Sequence, residues 1–148
     1  MKPAFIFDID GTIADCSHRL HFIQQETPDW DAFYSLCVND KPIDNVCHLL
    51  RIIPSDVDII FITGRSEKWR GDTNNWISLR VFGGFRPGLL YMRADGDHRP
   101  DYEIKKEIYE KHIKDNFNVL GVFEDRDQVV KMWRELGLTC YQVADGSY

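Results

Sequence analysis

Short runs of consecutive apolar residues alternate along this chain with stretches whose apolar residues recur at helical spacing. The continuous runs predict strands over residues 4–9, 57–62, 89–92, 119–123 and 139–143. The periodic stretches predict helices over residues 43–53, 66–81, 101–112 and 128–136. Strands that are apolar on both faces are typical of parallel sheets covered by helices on either side. The alternation therefore predicts an α/β fold, with a doubly wound, Rossmann-like parallel sheet of about five strands.

Residues 13–43 follow the first strand and lack a clear periodicity. We interpret them as a small helical insert, a compact cap-like excursion over the carboxyl edge of the sheet. The insert belongs to a single predicted domain that spans residues 1–148. Asp29 is expected to cap a helix within it. Its aromatic residues could stack on a nucleic-acid base or pack in the core, and core packing is the commoner use of Phe22, Trp30, Phe33 and Tyr34.

Several single residues predict where helices begin and end. Ser66 and Asp101 are expected to cap the helices that follow them. Gly137 is expected to end the last helix in a left-handed conformation. The glycine-rich stretch over residues 83–88 predicts a loop.

The composition is that of an ordinary globular protein, with 43% hydrophobic and 28% charged residues among 148. No apolar run approaches the roughly 20 residues that span a bilayer, and the N-terminus does not resemble a signal peptide. The four cysteines form no C-x-x-C pair, so we expect reduced thiols in a cytoplasmic protein. A net charge of −6 argues against a broad basic face that coats nucleic acid.

Polar residues follow the predicted strands at one end. The first strand runs into Asp8 and Asp10, which share a face of the strand, and then into Gly11 and the Thr12 hydroxyl. The polar groups that follow the other strands, or precede the fourth, are Thr63, Gly64, Arg65, Arg93, Lys105, Glu124 and Asp125. Because the carboxyl ends of parallel strands meet at one edge, these groups are expected to form one site.

The carboxylates at this edge predict a divalent cation. Buried carboxylates are costly and repel one another, and Mg²⁺ relieves both problems through hard oxygen ligands. We expect the Asp8 and Asp125 carboxylates and the Asp10 carbonyl to bind it.

Phosphoryl chemistry gives each neighbouring group a role. Thr63 and Lys105 can bind a phosphate oxygen, Asp8 can attack phosphorus, and Asp10 can protonate the leaving oxygen. Considered alone, Lys105 has a second interpretation as a solvated helix lysine. Likewise, an ion pair with an acid is the simple interpretation of Arg65, and a surface position is that of Arg19 and Arg93.

The order of these motifs resembles that of the haloacid dehalogenase (HAD) phosphohydrolases. The motifs are D-x-D-G-T, a strand ending in a hydroxyl residue, a lysine, and an acidic pair after a fourth strand. Residues 104–113, 124–134 and 140–144 are similar to the 3′-phosphatase domain of phage polynucleotide kinase-phosphatase. The resemblance implies an HAD-like, Mg²⁺-dependent phosphomonoesterase. It would remove a terminal 3′-phosphate from DNA, RNA or a 3′-nucleotide through an aspartyl-phosphate.

The same resemblance implies a role for each matching residue. Asp8 is the expected nucleophile and Asp10 the acid and base, while Glu124 and Asp125 join them at the metal. Thr63 and Lys105 are expected to bind the transferred phosphate. The remaining residues that we place at the substrate are Thr12, Arg19, Gly64, Arg65 and Arg93. Thr63 stands where that relative has serine, and Glu124 where it has aspartate.

Two other functions remain open. One is an HAD phosphatase of small 5′-nucleotides or other phosphometabolites, and the acidic net charge favours it slightly. The other is a non-catalytic phosphate-binding module on the same fold. A 5′-kinase activity is not expected, because the sequence has no G-x-x-x-x-G-K-[ST] pattern.

Overall fold

The computed structural model describes residues 1–85 and 88–148 of the chain. Within them the strands are β1 (Lys2–Phe7), β2 (Ala14–Asp15), β3 (Lys41–Pro42), β4 (Asp58–Ser66), β5 (Leu89–Arg93), β6 (Phe117–Glu124) and β7 (Cys140–Gln142). The α-helices are α1 (Trp30–Ser35), α2 (Asp44–Ile52), α3 (Arg70–Trp76), α4 (Asp101–Ile108) and α5 (Asp127–Glu135). The loop predicted over residues 83–88 includes Arg86 and Pro87, which lie outside the described residues.

The main sheet has the strand order β5-β4-β1-β6-β7, and its neighbouring strands pair in parallel. The nearly uninterrupted apolar strand β1 lies in the centre, where helices cover both of its faces. Parallel pairing brings the carboxyl ends of all five strands to one edge. The predicted α/β fold with a parallel sheet of about five strands is therefore confirmed.

Two apolar clusters cover the two faces of the sheet. Ile6 and Ile60 pack with Trp133 of α5 on one face, whereas Phe7 and Phe61 pack with residues of α2 and α3 on the other. Successive strand residues thus enter opposite clusters, as the two-residue repeat of a strand requires. This double coverage explains why the strands lack polar alternation, and it leaves the carboxyl edge for polar groups.

The helix ends follow most of the sequence signals. The Asp29 carboxylate accepts a hydrogen bond from the Ala32 amide at 3.0 Å, which confirms the predicted cap. Ser66 caps a 3₁₀ turn (Glu67–Trp69) that leads into α3, and Gly137 has a φ of +84° after α5.

The predicted Asp101 cap is wrong. Pro100 occupies the N-cap position of α4 and Asp101 is the first helical residue. Its carboxylate accepts a hydrogen bond from Arg93 at 3.1 Å instead of an amide of its own helix. A charged partner outside the helix competes successfully with the capping amides, because charge-assisted hydrogen bonds are stronger than neutral ones.

The insert after β1 is closed at its base by the antiparallel pair β2–β3, with Ala14 opposite Pro42. Between these strands lie a 3₁₀ helix (Ser17–Phe22) and α1. The Tyr34 hydroxyl donates to the Gly64 carbonyl at 3.3 Å, so α1 lies against the carboxyl end of β4. The insert therefore borders the edge where the predicted site residues meet.

The four cysteines are buried free thiols. Burial raises the pKa of the Cys16 and Cys140 thiols to about 12, so both remain protonated at neutral pH. None of the described helices is both long and apolar enough to cross a bilayer.

Candidate active site

The turn that follows β1 places two carboxylates at the carboxyl edge. Gly11 makes this turn possible, because its φ is +81° and a Cβ atom there would collide with the Asp125 carboxylate. The buried Thr12 hydroxyl donates to Asp8 Oδ2 at 2.9 Å and approaches Asp125 Oδ1 at 3.4 Å. The sequence D-x-D-G-T thus fixes the side chain of Asp8 and links it to the end of β6.

Asp8 belongs to a buried group of charges that we call the acidic cluster, formed by Asp8, Lys105, Glu124 and Asp125. Lys105 Nζ donates to Asp8 Oδ1 at 2.7 Å and to Glu124 Oε2 at 2.8 Å. All four side chains are almost completely excluded from solvent. The interpretation of Lys105 as a solvated helix lysine is therefore wrong.

The acidic cluster carries more negative than positive charge. Burial raises the pKa of Asp8 well above its usual value, and the Glu124 carboxylate adds to this effect against the attraction of Lys105. Burial likewise raises the pKa of Glu124. Burial alone would lower the pKa of Lys105, but Asp8 and Glu124 outweigh it and raise that pKa. One ammonium thus leaves three neighbouring carboxylates partly uncompensated.

The composition of the acidic cluster suits a divalent cation. One carboxylate oxygen from each of Asp8, Glu124 and Asp125 lies within 4.8 Å of the other two. Hard oxygen donors at such separations are the ligand set of Mg²⁺. Glu124 Oε1 also accepts the Asp125 amide, and the Tyr148 hydroxyl donates to Asp125 Oδ2, so two of these carboxylates are held in place.

Asp10 lies in a different environment, which we call the arginine cluster, formed by Asp10, Arg19, Asp40 and Arg65. Asp10 Oδ1 accepts from Arg19 at 2.5 Å and from Arg65 at 2.6 Å. Asp40, which is fully buried, accepts from Arg19 at 2.6 Å and from Arg65 at 3.3 Å. Two carboxylates and two guanidinium groups thus alternate in a closed network.

The arginine cluster keeps Asp10 ionised. Burial alone would raise the pKa of Asp10, but the guanidinium groups of Arg65 and Arg19 outweigh it and hold that pKa well below its usual range. Both arginine side chains are fully buried, and they also donate to Phe33 O and Thr73 Oγ1. Their donors thus contact acceptors of the protein itself. The interpretation of Arg19 as a surface residue is therefore wrong, whereas Arg65 forms the ion pair expected of it.

The carboxyl end of β4 supplies a third wall. Thr63 is buried, and its hydroxyl accepts the Arg65 amide at 3.2 Å. Gly64 is required here, because a Cβ atom would collide with the Asp101 carboxylate. Arg93 Nε donates to the Gly64 carbonyl at 2.8 Å. Arg93 is therefore held by protein groups, and Thr63 adds a neutral hydroxyl at this end of β4.

These walls enclose a cavity of about 140 Å³, which we call the catalytic cavity. Its lining includes Asp8, Asp10, Thr63, Glu124 and Asp125. Seven of the eleven predicted site residues line this cavity, because Gly64 and Arg93 join the five just named. Thr12 and Lys105 contact Asp8, and Arg19 and Arg65 contact Asp10. Asp8 and Asp10 thus line the same cavity, although the pKa of Asp8 is raised and that of Asp10 is lowered.

The family model for the polynucleotide kinase PNKP phosphatase domain, a branch of the HAD superfamily, matches residues 2–148. The chain belongs to this family. The match covers almost the whole sequence and includes every residue of both clusters. The resemblance identified from the motifs is therefore confirmed.

Two relatives of this chain are more than twice as long as the part that matches it. A protein of Autographa californica nuclear polyhedrosis virus, named as a bifunctional polynucleotide kinase/RNA ligase, is 32% identical over 138 residues, or 90% of this chain and 18% of its own length. A solved chain of the Pnkp1/Rnl/Hen1 RNA repair complex is 29% identical with a TM-score of 0.83, over 100% of this chain and 44% of its own length. The present chain thus spans less than half of either relative.

More distant structures share the fold alone. The class C acid phosphatase of Bacillus anthracis, solved with tungstate, is 15% identical over 99% of this chain and 68% of its own, with a TM-score of 0.65. The HAD-like hydrolase SP0104 of Streptococcus pneumoniae is 14% identical over 95% of this chain and 83% of its own, with a TM-score of 0.62. The HAD-like fold of this PNKP phosphatase domain is thus clear.

Sequence reasoning missed three residues that contact the predicted site residues. Asp40 is the second carboxylate of the arginine cluster, Asp101 contacts Arg93 and lies 3.7 Å from Lys105, and Tyr148 contacts Asp125. Each lies in a stretch without a motif. The one available signal was position, since Asp101 precedes Lys105 by one helical turn.

Proposed function

We propose that this chain is a Mg²⁺-dependent phosphomonoesterase that removes a terminal 3′-phosphate from nucleic acid or from a 3′-nucleotide. The observation that carries the proposal is the placement of Asp8. It lies in the catalytic cavity beside Lys105, within a surplus of carboxylates, and two residues before a carboxylate held by arginines. Membership of the PNKP phosphatase family supports the 3′-phosphate as the substrate group.

Asp8, Glu124 and Asp125 would hold the cation through their carboxylates, and we retain the Asp10 carbonyl as a further proposed ligand. When bound, Mg²⁺ would neutralise charge on the phosphate and on the carboxylates. The donor set is made only of oxygens, which favours Mg²⁺ over softer metals.

In the first step, an Asp8 carboxylate oxygen attacks phosphorus and the bond from phosphorus to the leaving oxygen breaks. Thr63 and Lys105 bind phosphate oxygens and stabilise the charge that develops on them. Asp10 transfers a proton to the leaving oxygen. Because the free site keeps Asp10 ionised, Asp10 takes up this proton when the phosphate monoester binds. Oδ2 is its proposed carrier, since both close arginine contacts are to Oδ1 and the contact of Oδ2 with Arg65 Nε is 3.1 Å.

In the second step, water attacks the phosphorus of the aspartyl-phosphate and Asp10 accepts the proton of that water. The bond between phosphorus and Asp8 breaks, which releases inorganic phosphate and regenerates the Asp8 carboxylate. Asp10 then returns the accepted proton to solvent, so it is again ionised before the next substrate binds. Arg19 and Arg65 keep Asp10 oriented toward the cavity through both steps, so we assign them to the positioning of Asp10 and not to direct contact with the phosphate.

The decisive experiment measures phosphate release with Mg²⁺ from a 3′-phosphorylated oligonucleotide, a 5′-phosphorylated oligonucleotide, a 3′-mononucleotide and a 5′-mononucleotide. We expect kcat/KM to favour the two 3′-phosphorylated substrates, and EDTA to abolish the release. Preference for the 5′-mononucleotide would replace the proposal with a nucleotidase. Binding without release from any substrate would replace it with a phosphate-binding module.

A further inference from the structure

A second cavity of about 350 Å³, which we call the outer cleft, lies beside the catalytic cavity. The two cavities share five residues of their walls, namely Trp30, Tyr34, Arg93, Asp101 and Arg126. The two cavities therefore adjoin. The outer cleft can therefore hold the part of a substrate that is attached to a phosphate in the catalytic cavity.

The sizes of the two cavities divide such a molecule into two parts. Sites for small organic ligands usually measure about 300–1,000 Å³. The outer cleft is within this range, whereas the catalytic cavity, at about 140 Å³, is well below it. The smaller cavity suits a phosphate group, and the larger one suits the sugar and base attached to that phosphate.

Two tryptophans from different elements line the outer cleft. Trp30 is the first residue of α1, where the Asp29 cap fixes it, and its side chain is 49% exposed. Its ring stacks on Tyr34 with a centroid distance of 5.9 Å and an angle of 27°. Trp69 ends the 3₁₀ turn that follows β4. Trp69 is half-buried, and Lys68 Nζ lies 5.3 Å from its ring centroid. Aromatic rings that line a cleft are surfaces on which nucleic-acid bases stack.

The charges of the outer cleft do not suit a run of backbone phosphates. Four aspartates and three arginines line it, namely Asp31, Asp95, Asp97, Asp101, Arg93, Arg99 and Arg126. Arg99 pairs with Asp97 at 2.8 Å and with Glu107 at 2.5 Å, and Arg93 donates to the Asp97 carbonyl at 3.0 Å. A groove that follows a phosphate backbone needs free cations, so an uncharged base is the better occupant.

We propose that the outer cleft binds the base of the 3′-terminal nucleotide against Trp30 and Trp69 while its phosphate occupies the catalytic cavity. The inference rests on the proposed function and deepens it. Under this proposal the protein recognises the base and the phosphate of a single nucleoside 3′-phosphate. Neighbouring nucleotides contribute little.

The test compares thymidine 3′-phosphate with the 3-phosphate of its base-free tetrahydrofuran analogue. Stacking on an aromatic side chain is worth roughly a five- to 150-fold preference. We expect the wild-type kcat/KM to favour the nucleotide by this range, mostly through KM. Trp30→Ala and Trp69→Ala should each lower kcat/KM for the nucleotide at least fivefold and change the value for the base-free ester less than twofold.

Phe85→Ala is the matched control, because Phe85 is an aromatic residue that is 88% exposed and lines neither cavity. It should leave both substrates unaffected. Equal wild-type values for the two esters would overturn the base-binding inference while leaving the 3′-phosphatase proposal intact. Equal losses on both esters in tryptophan variants that keep the wild-type Tm would also contradict the inference.

A binding measurement separates failure of the inference from failure of the proposed function. Quenching of tryptophan fluorescence by thymidine 3′-phosphate, measured without Mg²⁺, should give a Kd at least fivefold lower than that of the base-free analogue. Trp30→Phe should keep the affinity, since phenylalanine still stacks. If neither ester is hydrolysed but base-dependent binding persists, the cleft binds a base and the phosphatase proposal fails.

The length of the substrate gives a second readout. A 3′-phosphorylated decanucleotide should have a kcat/KM within about fivefold of that of thymidine 3′-phosphate, with a similar dependence on salt. A large preference for the decanucleotide that declines steeply with salt would overturn recognition of a single nucleotide.

Discussion

The acidic cluster and the arginine cluster lie side by side and are made of the same kinds of charged group, yet their balance differs. The acidic cluster sets three carboxylates against the single ammonium of Lys105, whereas the arginine cluster sets two carboxylates against two guanidinium groups. With all groups ionised, the acidic cluster has a net charge of −2, which one Mg²⁺ would balance, and the arginine cluster has a net charge of zero. Asp8 and Asp10 are thus specialised by their neighbours, although both are aspartates of one turn.

The largest expected effect tests the acidic cluster. Asp8→Asn keeps a hydrogen-bond acceptor for Lys105 but removes the attacking carboxylate, so kcat should fall by about 10⁴-fold or more. Initial rates of phosphate release measure this effect. Asp115→Asn, the same change at an exposed position, should leave the rate unchanged. Substantial turnover in Asp8→Asn would exclude Asp8 as the nucleophile.

The second-largest effect tests Asp10, the proposed acid and base in the arginine cluster. Asp10→Asn removes the proton donor and should lower kcat by about 10²- to 10⁴-fold on a nucleoside 3′-phosphate. The loss should be much smaller on p-nitrophenyl phosphate, because its leaving oxygen departs without a proton. Equal losses on both substrates would assign Asp10 a role other than proton transfer.

The third effect compares the stability of the two clusters. Asp40→Asn removes a fully buried carboxylate from Arg19 and Arg65 and should lower the free energy of unfolding by about 3–5 kcal/mol. Asp125→Asn removes one of the mutually repelling carboxylates and should lower it by less than about 1 kcal/mol without metal. Urea unfolding in EDTA measures both. Similar losses in the two variants would contradict the difference in charge balance.

The smallest expected effect concerns the cation alone. Mg²⁺ at 100 times its Kd should stabilise the wild type by about 2.7 kcal/mol, which corresponds to an increase in Tm of several degrees. Asp125→Asn should abolish most of this increase, whereas Phe85→Ala should keep it. Thermal unfolding with Mg²⁺ and with EDTA measures the difference. An undiminished increase in Asp125→Asn would place the cation elsewhere.

Features encoded within one short segment were predictable from the sequence. The apolar runs of β1 and β6 are long enough to indicate buried strands, and their ends place Asp8, Asp10 and the pair Glu124-Asp125 at one edge. Parallel pairing then brings these residues together without any further information. This part of the acidic cluster follows from secondary structure alone.

Features that depend on distant side chains were not predictable. Asp40 lies 21 positions from Arg19 and 25 from Arg65, and Tyr148 lies 23 positions from Asp125. Lys105 is buried and the adjacent Lys106 is exposed, because α4 turns the face of Lys105 toward the sheet. The sequence does not show which of two adjacent lysines lies on that face. The exposure of Trp30 at the outer cleft, where core packing was the commoner expectation, likewise depends on how the insert folds.

The short β2–β3 pair has a consequence for how such domains diversify. Because the two ends of the insert meet in this pair, the segment between them can be exchanged as a module at little entropic cost to the sheet. A transplanted segment still has to bring an arginine and an aspartate equivalent to Arg19 and Asp40, or Arg65 keeps a buried charge with fewer partners. Natural or engineered swaps of substrate preference are therefore expected to vary Trp30 and its neighbours freely while retaining these two charges.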